Sequence, residues 1–533
     1  MALARTHAIA LAGVHGHVVE IEADIENGLV ALLLVGLPDT ALREARDRIR
    51  AAIINSRQSW PQRRITVGLS PASLPKRGSG FDVAIAAAIL AADGALPGES
   101  LAGTVFLGEL GLDGRIRAVP GVLPSVAAAA AAGFRRVVVP PQNAAEAALV
   151  PSMQVVSAPT LGSLIEWLRD GGRARGGTAG TGSARSPGRA GVVEVVESGA
   201  GLTPPSGGTA ADEPMRDLAD VVGQPVARRA AEICAAGGHH MLLLGPPGVG
   251  KTLLAERLPT IMPPLEPAAA LEVSAIHSVA GTLRPDRPLL TEPPFCAPHH
   301  TATKAAIVGG GSGIIRPGAA SLAHHGCLFL DEAPEFDRDV LDALRQPLEA
   351  GEVVVARSGQ TARFPARFTL LLAANPCPCA RMAATGAACT CTPLVRRRYL
   401  ARLSGPLLDR VDVKVGLLPV GRAELLSDRQ LAEPSATVAA RVLQARLRAG
   451  RRLRDTRWRL NGEIPGSELR RRFRPEPAAL GPLEQAMDRG QVSARGADRI
   501  IRMSWTLADL AGRSRPGQAE VASALGLWLG AVL

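Results

Sequence analysis

Hydrophobic and polar positions in the first third of the chain follow two different periods. The stretch "HGHVVEIEADI" (residues 15–25) alternates like a half-buried strand, and "ALREARDRIRAAI" (41–53) repeats its apolar positions like a helix. Apolar runs such as "RITVGLS" (64–70) and "RVVVP" (136–140) predict further strands, and "FDVAIAAAILAA" (81–92) predicts a further helix. Residues 1–168 are therefore predicted to form a domain that contains both α and β structure.

The periodic pattern stops at residues 169–213, which are rich in Gly, Ser, Thr and Pro. A segment of this composition cannot bury enough apolar surface to fold, so we predict a flexible linker. Strand and helix patterns resume over residues 214–420, and residues 421–533 have a helical period throughout. The chain is therefore predicted to have two folded parts joined by a linker, with a helical region at its C-terminal end.

The segment "MLLLGPPGVGKTLLAERL" (241–258) matches the P-loop pattern G-x4-G-K-T. It follows an apolar strand and opens a helix, which is the context that the pattern requires. Its backbone N–H groups can wrap phosphates, Lys251 adds a positive charge near the β and γ oxygens, and the Thr252 hydroxyl can bind Mg²⁺. The predicted ATP-binding residues are Gly245, Pro246, Pro247, Gly248, Val249, Gly250, Lys251 and Thr252.

Two later apolar runs end in polar residues. "GCLFLDE" (326–332) brings Asp331 and Glu332 to the end of a buried strand, where Asp331 can hold Mg²⁺ and Glu332 can polarise a water molecule. "TLLLAAN" (369–375) ends in Asn375, which can hydrogen-bond the γ-phosphate or the water. The alternative for Asn375 is a turn residue without a catalytic role.

These motifs, together with "RLSGPLLDRVD" (402–412), resemble the AAA+ ATPases of the magnesium-chelatase-like group. The resemblance is closest to the ComM/YifB family, whose members have close relatives of "GLPDTALREARDRIRAAI", "APHHTAT", "LFLDEAPEF", "NPCPC" and "SGPLLDR". It covers nearly the whole chain except the linker. It implies an α/β fold, with an AAA+ core at 214–420 and a C-terminal helical lid at 421–533.

The same resemblance implies a function. It implies a cytoplasmic ATPase that uses Mg²⁺ and assembles as a hexameric ring. It further implies that the ring acts on single-stranded or branched DNA, as a helicase or branch-migration factor in recombination during natural transformation. Two alternatives remain open, a metal-chelatase type of ATPase and a protein-remodelling ATPase. A recognisable metal-adhesion domain is missing from the sequence, and the segment "ARSGQTAR" (356–363) contains no aromatic residue of the kind that remodelling motors present.

Two arginines take their roles from the resemblance. Arg410 in "LLDR" resembles the arginine finger that reaches the γ-phosphate of a neighbouring subunit, and Arg495 in "VSARGADR" resembles the sensor-2 residue of the lid. The alternative for both is a surface ion pair, which has weight in a chain this rich in arginine. A finger that acts between subunits requires an oligomer.

The segment "GEVVVARSGQTARFP" (351–365) is predicted to form a hairpin, with Arg357 and Arg363 on either side of a tight turn. It resembles the pre-sensor-1 hairpin, which projects into the central channel of the ring. Residues 275–320 resemble the helix-2 insert, a second channel loop that contains Lys304 and Arg316. These four cations are candidate contacts for DNA phosphates, which carry no sequence information. The alternative is a pair of solvated surface loops.

Four of the seven cysteines lie close together in the sequence, and the other three, Cys234, Cys296 and Cys327, lie singly in apolar surroundings, as inert core thiols do. Cys377, Cys379, Cys389 and Cys391 form two C-x-C pairs. Four thiolates suit a tetrahedral structural Zn²⁺ site, although the usual spacing is C-x2-C. The alternative is four reduced thiols that pack without a metal.

Residues 67–143 resemble the Lon protease domain, an α+β fold of the ribosomal S5 domain 2 type. On that resemblance the nucleophile position falls on Gly80 and the catalytic lysine position falls on Leu123, while Ser79 and Lys76 lie elsewhere. A serine–lysine mechanism needs both groups within hydrogen-bond reach. We therefore predict a Lon-like domain without protease activity.

The remaining features of the sequence narrow the expected partners. The net charge is +11, from 60 basic and 49 acidic residues, which permits a polyanionic ligand. Aromatic residues make up only 3% of the chain, so base stacking is not expected to dominate DNA contacts. No apolar run is long enough to cross a membrane, and no signal peptide is evident. The pairs His299–His300 and His324–His325 could suggest a metal site, but adjacent residues on a strand point to opposite faces, so one pair cannot easily supply two ligands. They are therefore predicted to have structural or nucleotide-proximal roles.

Overall fold

The computed structural model of the protein describes residues 2–36, 40–74, 76, 78–172, 192–196, 216–311, 315–357, 360–379, 389–421 and 432–530. The N-terminal domain is built on an eight-stranded mixed sheet with the strand order β10-β9-β8-β5-β1-β2-β4-β3. Its strands are β1 Ala2–Ala12, β2 His15–Glu26, β3 Ala31–Val35, β4 Arg64–Ser70, β5 Thr104–Phe106, β6 Glu109–Leu110, β7 Ile116–Arg117, β8 Arg136–Val139, β9 Gln154–Ser157 and β10 Glu194–Val196. Strands β6 and β7 form a separate two-stranded ribbon.

Five helices flank this sheet. They are α1 Thr40–Asn55, α2 Asp82–Ala92, α3 Val122–Ala131, α4 Ala144–Ala147 and α5 Leu161–Arg169. Alternate residues of β1 belong to two separate apolar cores. Ala8 and Ala10 pack in the core that includes α1 and α2, whereas Ile9 packs in the core that includes α3. The sheet therefore lies between two helical layers, because a strand with apolar residues on both faces must be covered on both.

The linker prediction for 169–213 is wrong at one short stretch. Residues 194–196 form β10, which pairs antiparallel with β9 from Glu194 opposite Ser157 to Val196 opposite Val155. The sequence "VVEVV" at 192–196 is β-branched and alternating, so it can add to the open edge of β9 despite its polar surroundings. Residues 173–191 and 197–213 of the predicted linker lie outside the described part of the chain.

The second domain is built on a five-stranded parallel sheet with the order β12-β13-β16-β11-β17. Its strands, with the hairpin β14–β15, are β11 Met241–Leu244, β12 Phe295–Cys296, β13 Cys327–Leu330, β14 Glu352–Arg357, β15 Gln360–Pro365, β16 Thr369–Ala374 and β17 Val413–Gly416. Every residue of β13 and β16 is buried, as expected for central parallel strands covered on both faces. This parallel sheet confirms the α/β class predicted for this part of the chain.

The helices of this domain are α6 Pro225–Gly237, α7 Lys251–Arg257, α8 Pro267–Ala280, α9 Lys304–Val308, α10 Ala319–Leu322, α11 Arg338–Ala343, α12 Arg345–Ala350, α13 Pro393–Leu400 and α14 Gly405–Leu408. The sequence "RDVLDALRQPLEAG" (338–351) forms two helices, α11 and α12, with a break at Leu344. Pro347 has no N–H to donate to the carbonyl of Ala343, and its ring crowds that carbonyl, so the helix breaks there.

The described part of the C-terminal region, residues 432–530, contains five α-helices, α15 Ser435–Leu453, α16 Gly466–Arg471, α17 Gly481–Asp488, α18 Ala494–Leu510 and α19 Gln518–Leu529. They share one apolar core with the P-loop sheet, in which Leu243 of β11 and both Ile500 and Trp505 of α18 take part. A buried hydrogen bond of 2.7 Å between His239 and Thr506 also joins the two regions. The predicted role of this region as a lid remains a prediction.

The N-terminal domain contacts the P-loop domain at α8 and at the hairpin. The Ser278 hydroxyl donates to the buried carboxylate of Glu146 at 2.7 Å, and the N–H of Gly121 donates to the carbonyl of Ser278 at 2.9 Å. The β1–β2 turn at Gly13 packs directly against the backbone of Arg363. Among the described residues, no helix combines the length and the apolar character that a membrane span requires.

Candidate nucleotide site and its neighbouring surfaces

The candidate nucleotide site lies at one edge of the parallel sheet, where three neighbouring strands end. Strand β16 lies between β13 and β11, with Leu330 opposite Leu372 and Leu244 opposite Ala374. The P-loop follows β11 in the chain, and polar residues follow the other two strands. Because parallel strands all point the same way, their carboxyl ends collect these segments at one edge, which is where open α/β sheets bind ligands.

The P-loop holds its lysine close to the backbone. Gly248 and Gly250 have φ angles of 79° and 91°, a left-handed conformation that side chains other than glycine disfavour. Lys251 is buried, and its Nζ donates to the carbonyls of Gly245 and Pro246 and to Oδ1 of Asn375 at 2.7, 2.9 and 2.9 Å. The structure therefore brings Lys251 and Asn375 into direct contact.

Burial and nearby carboxylates act in opposite directions on Lys251. Burial lowers the pKa of its ammonium group, while the negative charges of Asp331 and Glu332 favour the charged form. A cation in this position is already desolvated and surrounded by backbone dipoles, so it interacts strongly with an anion that replaces its carbonyl partners. A triphosphate bound by the P-loop would therefore meet the positive charge of Lys251.

The side chains of Thr252 and Asp331 meet at the same edge. The Thr252 hydroxyl donates to the Asp331 carboxylate at 2.7 Å, and the other oxygen of Asp331 accepts the backbone N–H of Glu332 at 2.8 Å. A hydroxyl and a carboxylate held beside a phosphate-binding loop are the oxygen ligands that Mg²⁺ takes in such sites. The residues present therefore fit the predicted magnesium-dependent nucleotide site.

Glu332 has a backbone conformation that is unusual for a non-glycine residue, with a φ angle of 50°. Such a left-handed residue costs about 1 kcal/mol or more and persists where the surroundings impose it, often at functional sites. The Glu332 carboxylate lies 3.3 Å from Nδ1 of His300. The nucleotide-proximal role predicted for the His299–His300 pair therefore has a definite contact, which sequence spacing alone could not assign.

Arg410 and Arg495 lie near each other and away from this cluster. Arg410 forms an ion pair with Glu349 on α12 and also donates to the carbonyl of Pro406. Burial lowers the pKa of Arg410, and repulsion from Arg499, Arg345 and Arg495 acts in the same direction. Among the described residues, neither Arg410 nor Arg495 contacts Lys251, Asp331 or Asn375. Within one chain the structure thus groups four candidate residues, Lys251, Thr252, Asp331 and Asn375, and leaves the two arginines apart.

The two hairpin arginines lie on opposite faces of β14–β15. Arg357 shares a face with the buried residues Val353 and Val355, whereas Arg363 is opposite Val354 on the other face. Arg363 is paired with Glu352 at 2.7 Å. Arg357 is exposed, and among the described residues it makes no ion pair. The turn itself, residues 358–359, lies outside the described part of the chain.

The second pair of candidate cations lies beside the same hairpin. The backbone of Arg316 pairs with that of Gly310 through two hydrogen bonds, of 3.0 and 2.9 Å. An ideal Cβ on Gly310 would lie 4.0 Å from the guanidinium of Arg357 and 3.2 Å from Ala305, the neighbour of Lys304. Lys304, Arg316 and Arg357 are all exposed, so the structure places three of the four candidates around Gly310.

The second histidine pair does not follow the strand geometry that was expected of it. His324 and His325 are not in a strand, and His325 has a φ angle of 57°, so both rings face Glu272 at 3.3 and 3.6 Å. The hydrogen bonds to these rings lower the pKa of Glu272. Nδ1 of His324 accepts the N–H of Arg367 at 2.9 Å, so its Nε2 carries the proton and has no lone pair for a metal.

In residues 67–143, for which the sequence predicts a Lon-like fold, Ser79 and Lys76 make separate contacts. Lys76 has no exposed surface and donates to the carbonyls of Pro71 and Leu74, whereas the Ser79 hydroxyl donates to Glu109. Gly80 adjoins a cavity of about 280 Å³ between the two domains, which Ser79, Val279 and Ala362 also line, among others. Leu123 is buried in α3. The prediction that this domain has no protease activity remains a prediction.

The four clustered cysteines lie directly after Asn375. The sulfur of Cys377 is 3.3 Å from that of Cys379 and 3.5 Å from that of Cys389, and the sulfurs of Cys379 and Cys389 are 3.6 Å apart. All four sulfurs lie within 4.8 Å of one another. By contrast, burial raises the pKa of both Cys296 and Cys327 to about 12, and it also raises the pKa of Cys234 well above its usual value, as expected for inert core thiols.

Comparison with known proteins connects these features to one family. Family models for magnesium chelatase subunit ChlI match residues 217–425 and 21–143, and a model for the C-terminal part of that subunit matches 432–527. Competence protein ComM of Haemophilus influenzae is 40% identical over 533 residues, which cover 99% of this chain and 97% of that protein. The chain belongs to the ComM/YifB family of magnesium-chelatase-like proteins.

Two further relatives support this assignment over nearly the full length. YifB of Escherichia coli, an uncharacterized protein, is 38% identical over 512 residues, which cover 96% of this chain and 94% of YifB. The uncharacterized protein Rv2897c of Mycobacterium tuberculosis is 52% identical over 525 residues, which cover 98% of both chains. The family resemblance inferred from the motifs is confirmed.

Sequence motifs missed one residue that the structure places beside the site. Tyr399 on α13 is buried, and burial followed by the charges of Glu335 and Glu332 raises its pKa to about 12, while a hydrogen bond from the backbone of Asn375 acts in the opposite direction. Tyr399 does not belong to any of the quoted motifs, and the signal that the sequence offered was that it is the single tyrosine of the chain.

Proposed function

We propose that this protein is an ATP-hydrolysing ring motor that acts on DNA, with branch migration during recombination as its activity. The observation that carries the ATPase part is the meeting of Lys251, Thr252, Asp331 and Asn375 at one edge of the parallel sheet. The competence protein among its relatives favours a role with imported DNA. In its finer form, the proposal is that the ring is a hexamer and that it acts as a helicase in natural transformation.

The residues of the site suggest how hydrolysis would proceed. The P-loop amides and Lys251 would bind the triphosphate, and Mg²⁺, held by Thr252 and Asp331, would offset phosphate charge. Glu332 would orient the attacking water, and its contact with His300 would fix the direction of the carboxylate. Asn375 already accepts a hydrogen bond from Lys251, so it would sense when that lysine turns to the γ-phosphate.

The exposed cations around Gly310 support contact with a phosphate backbone. Arg357, Lys304 and Arg316 come from two separate segments and lie on one surface of the P-loop domain. Arginine and lysine side chains that contact phosphates position a nucleic acid without selecting its sequence. A motor that moves along DNA needs this kind of contact, because it must leave each phosphate as readily as it binds it.

The ATPase part is tested by measuring phosphate release with and without forked or single-stranded DNA. We expect DNA to raise the rate of phosphate release, and we expect Lys251→Ala and Glu332→Gln to abolish phosphate release both with and without DNA. Glu332→Gln should still bind nucleotide, because the amide keeps the shape of the side chain. A wild-type rate in either variant would contradict the assignment of the site. Branch migration and strand displacement are then measured with the wild-type protein, and a ring that hydrolyses ATP but ignores every DNA tested would contradict the DNA part.

The role of Arg410 between subunits can be tested by mixing two inactive variants. Lys251→Ala lacks a working site, and Arg410→Ala lacks the finger, which is worth roughly 10³–10⁵ in rate. In mixed rings, a site on an Arg410→Ala subunit can meet the intact Arg410 of a Lys251→Ala neighbour. Random mixing of equal amounts would restore about a quarter of the interfaces. Activity in the mixture, with none in either variant alone, is the expected result, whereas an inactive mixture would contradict the interface role.

A metal-chelatase type of activity is the second candidate, because the matching family models describe magnesium chelatase subunit ChlI. The two candidates differ in their response to DNA. A chelatase-type ATPase would hydrolyse ATP at the same rate with and without DNA, and sizing in the presence of nucleotide would show the same ring. The DNA titration described above therefore distinguishes them.

A further inference from the structure

The cluster of Cys377, Cys379, Cys389 and Cys391 is a group of potential metal ligands that the proposed mechanism does not use. Three of its sulfur–sulfur distances are between 3.3 and 3.6 Å, which is much longer than a disulfide bond of about 2.05 Å. A tetrahedral ion with Zn–S distances of about 2.3 Å would hold its four sulfurs about 3.8 Å apart. The sulfurs thus surround a space the size of one ion.

We propose that these four cysteines bind one Zn²⁺ ion and that the ion holds Asn375 in position for ATP hydrolysis. The second half of this proposal rests on the function proposed above. Binding converts four thiols and Zn²⁺ into a tetrathiolate complex with a charge of −2 and releases four protons, so no oxidant or reductant is needed. With four protein ligands the ion has no open position, so its role is structural.

The surroundings of the cluster favour a single ion over an iron–sulfur cluster. All four sulfurs lie within 4.8 Å of one another, which leaves room for one ion and not for several iron and sulfide atoms. Nη2 of Arg396 lies 3.4 Å from the sulfur of Cys389. A guanidinium donating to a ligand sulfur offsets the negative charge of the complex and orients the ligand, as groups around metal sites commonly do.

The position of the cluster in the chain connects it to the nucleotide site on two sides. Cys377 lies two residues after Asn375, whose side chain accepts a hydrogen bond from Lys251. Cys391 lies two residues before α13, whose Tyr399 shares a hydrogen bond with the backbone of Asn375. One ion would therefore tie together the two C-x-C pairs between Asn375 and Tyr399. Without the ion, the cysteine side chains offer only weak hydrogen-bonding groups to hold these pairs together.

Metal content tests the first half of the proposal. The full-length protein, purified without chelators, is expected to contain about one zinc per chain, and the double variant Cys389→Ser with Cys391→Ser less than about 0.2. Cys296→Ser is the matched control, because it removes a cysteine outside the cluster and should keep the zinc. Cys391→His should also keep it, because histidine is a zinc ligand. Less than about half an equivalent in the wild type, or full zinc in the double variant, would overturn the site.

The single tyrosine gives a readout of Asn375 that does not depend on activity. Protein labelled with 3-fluorotyrosine has one ¹⁹F resonance, from Tyr399. We expect removal of zinc with a chelator to shift this resonance in the wild type and in Cys296→Ser. The double variant should show the shifted position from the start. An unchanged resonance after the zinc is removed would refute the connection to Asn375, even if the ion itself is present.

Kinetics then separate a positioning role from a general loss of structure. In zinc-depleted protein we expect kcat to fall at least about ten-fold, with nucleotide affinity changed less than about three-fold. In an Asn375→Ala background the same depletion should have no further effect on kcat, because the residue that the ion positions is gone. An equal fall in both backgrounds would overturn the positioning role. If no variant hydrolyses ATP, the proposed function fails, while the zinc content and the ¹⁹F resonance still decide this inference.

Discussion

Because the two hairpin arginines lie on opposite faces and only one of them is paired, we expect their substitution to change DNA binding by unequal amounts. Arg357 is exposed and, within the described residues, unpaired, whereas Arg363 is 57% exposed and bound to Glu352 at 2.7 Å. For single-stranded DNA, each phosphate contact contributes about −0.7 to the slope of log K against log salt. We therefore expect Arg357→Ala to make that slope shallower by about 0.7 per chain. Raising the salt from about 50 to about 200 mM should then weaken binding about 2.6-fold less in the variant than in the wild type.

Arg363 must break its ion pair with Glu352 before it can bind a phosphate. An exposed ion pair is worth up to about 1 kcal/mol, so Arg363 would bind a phosphate up to about five-fold less well than an unpaired arginine. Arg363→Ala should therefore change the slope by less than half as much as Arg357→Ala, and Glu352→Gln should tighten binding by freeing Arg363. The assay is fluorescence anisotropy of a labelled single strand over a salt series. Equal slopes for the two arginine variants, or a larger change for Arg363→Ala, would refute this reasoning.

Three further predictions concern contacts described above. Thr252→Ser keeps the hydroxyl that meets Asp331 and should keep magnesium-dependent hydrolysis, whereas Thr252→Ala should lose at least about ten-fold in kcat; equal rates would argue against a metal ligand. Ser278→Ala leaves the buried Glu146 without one donor, so thermal unfolding should reveal a destabilisation of about 1–3 kcal/mol, and Ser278→Thr should show much less. His300→Ala should lower kcat several-fold with unchanged nucleotide affinity, and a normal kcat would show that its contact with Glu332 is not used.

The grouping of the candidate nucleotide-site residues was largely predictable, because each of its parts is a contiguous stretch of sequence. The P-loop is one strand, one loop and one helix in sequence, so local patterns were enough to locate Lys251 and Thr252. Asp331 and Asn375 could be added because polar residues that follow apolar runs collect at the carboxyl edge of a parallel sheet. The contact of His300 with Glu332 could not be predicted, because nothing in the spacing of those residues says how the intervening chain folds back.

Two departures from expectation have identifiable physical causes. The opposite faces of Arg357 and Arg363 follow from the register of β14 with β15, in which Val354 is opposite Arg363. Because Arg357 is opposite Gln360, counting outward along both strands from that pair places the two arginines on opposite faces. Strand β10 is different, because its pairing with β9 depends on an open sheet edge about 40 residues earlier in the chain, which the polar composition around it conceals.

The contact between the N-terminal domain and the hairpin leads to a final prediction. Gly13 has a φ angle of 69°, and a Cβ there would lie 2.4 Å from the carbonyl oxygen of Arg363. Gly13→Ala must therefore displace either the β1–β2 turn or the hairpin. Gly94 has a φ angle of 79° with nothing within 4 Å, so Gly94→Ala carries similar backbone strain, about 1–2 kcal/mol, without the clash. If the hairpin carries force to DNA and the N-terminal domain supports it, Gly13→Ala should weaken the stimulation of ATP hydrolysis by DNA, while Gly94→Ala should not. A normal DNA response in Gly13→Ala would mean that the hairpin works without support from the N-terminal domain.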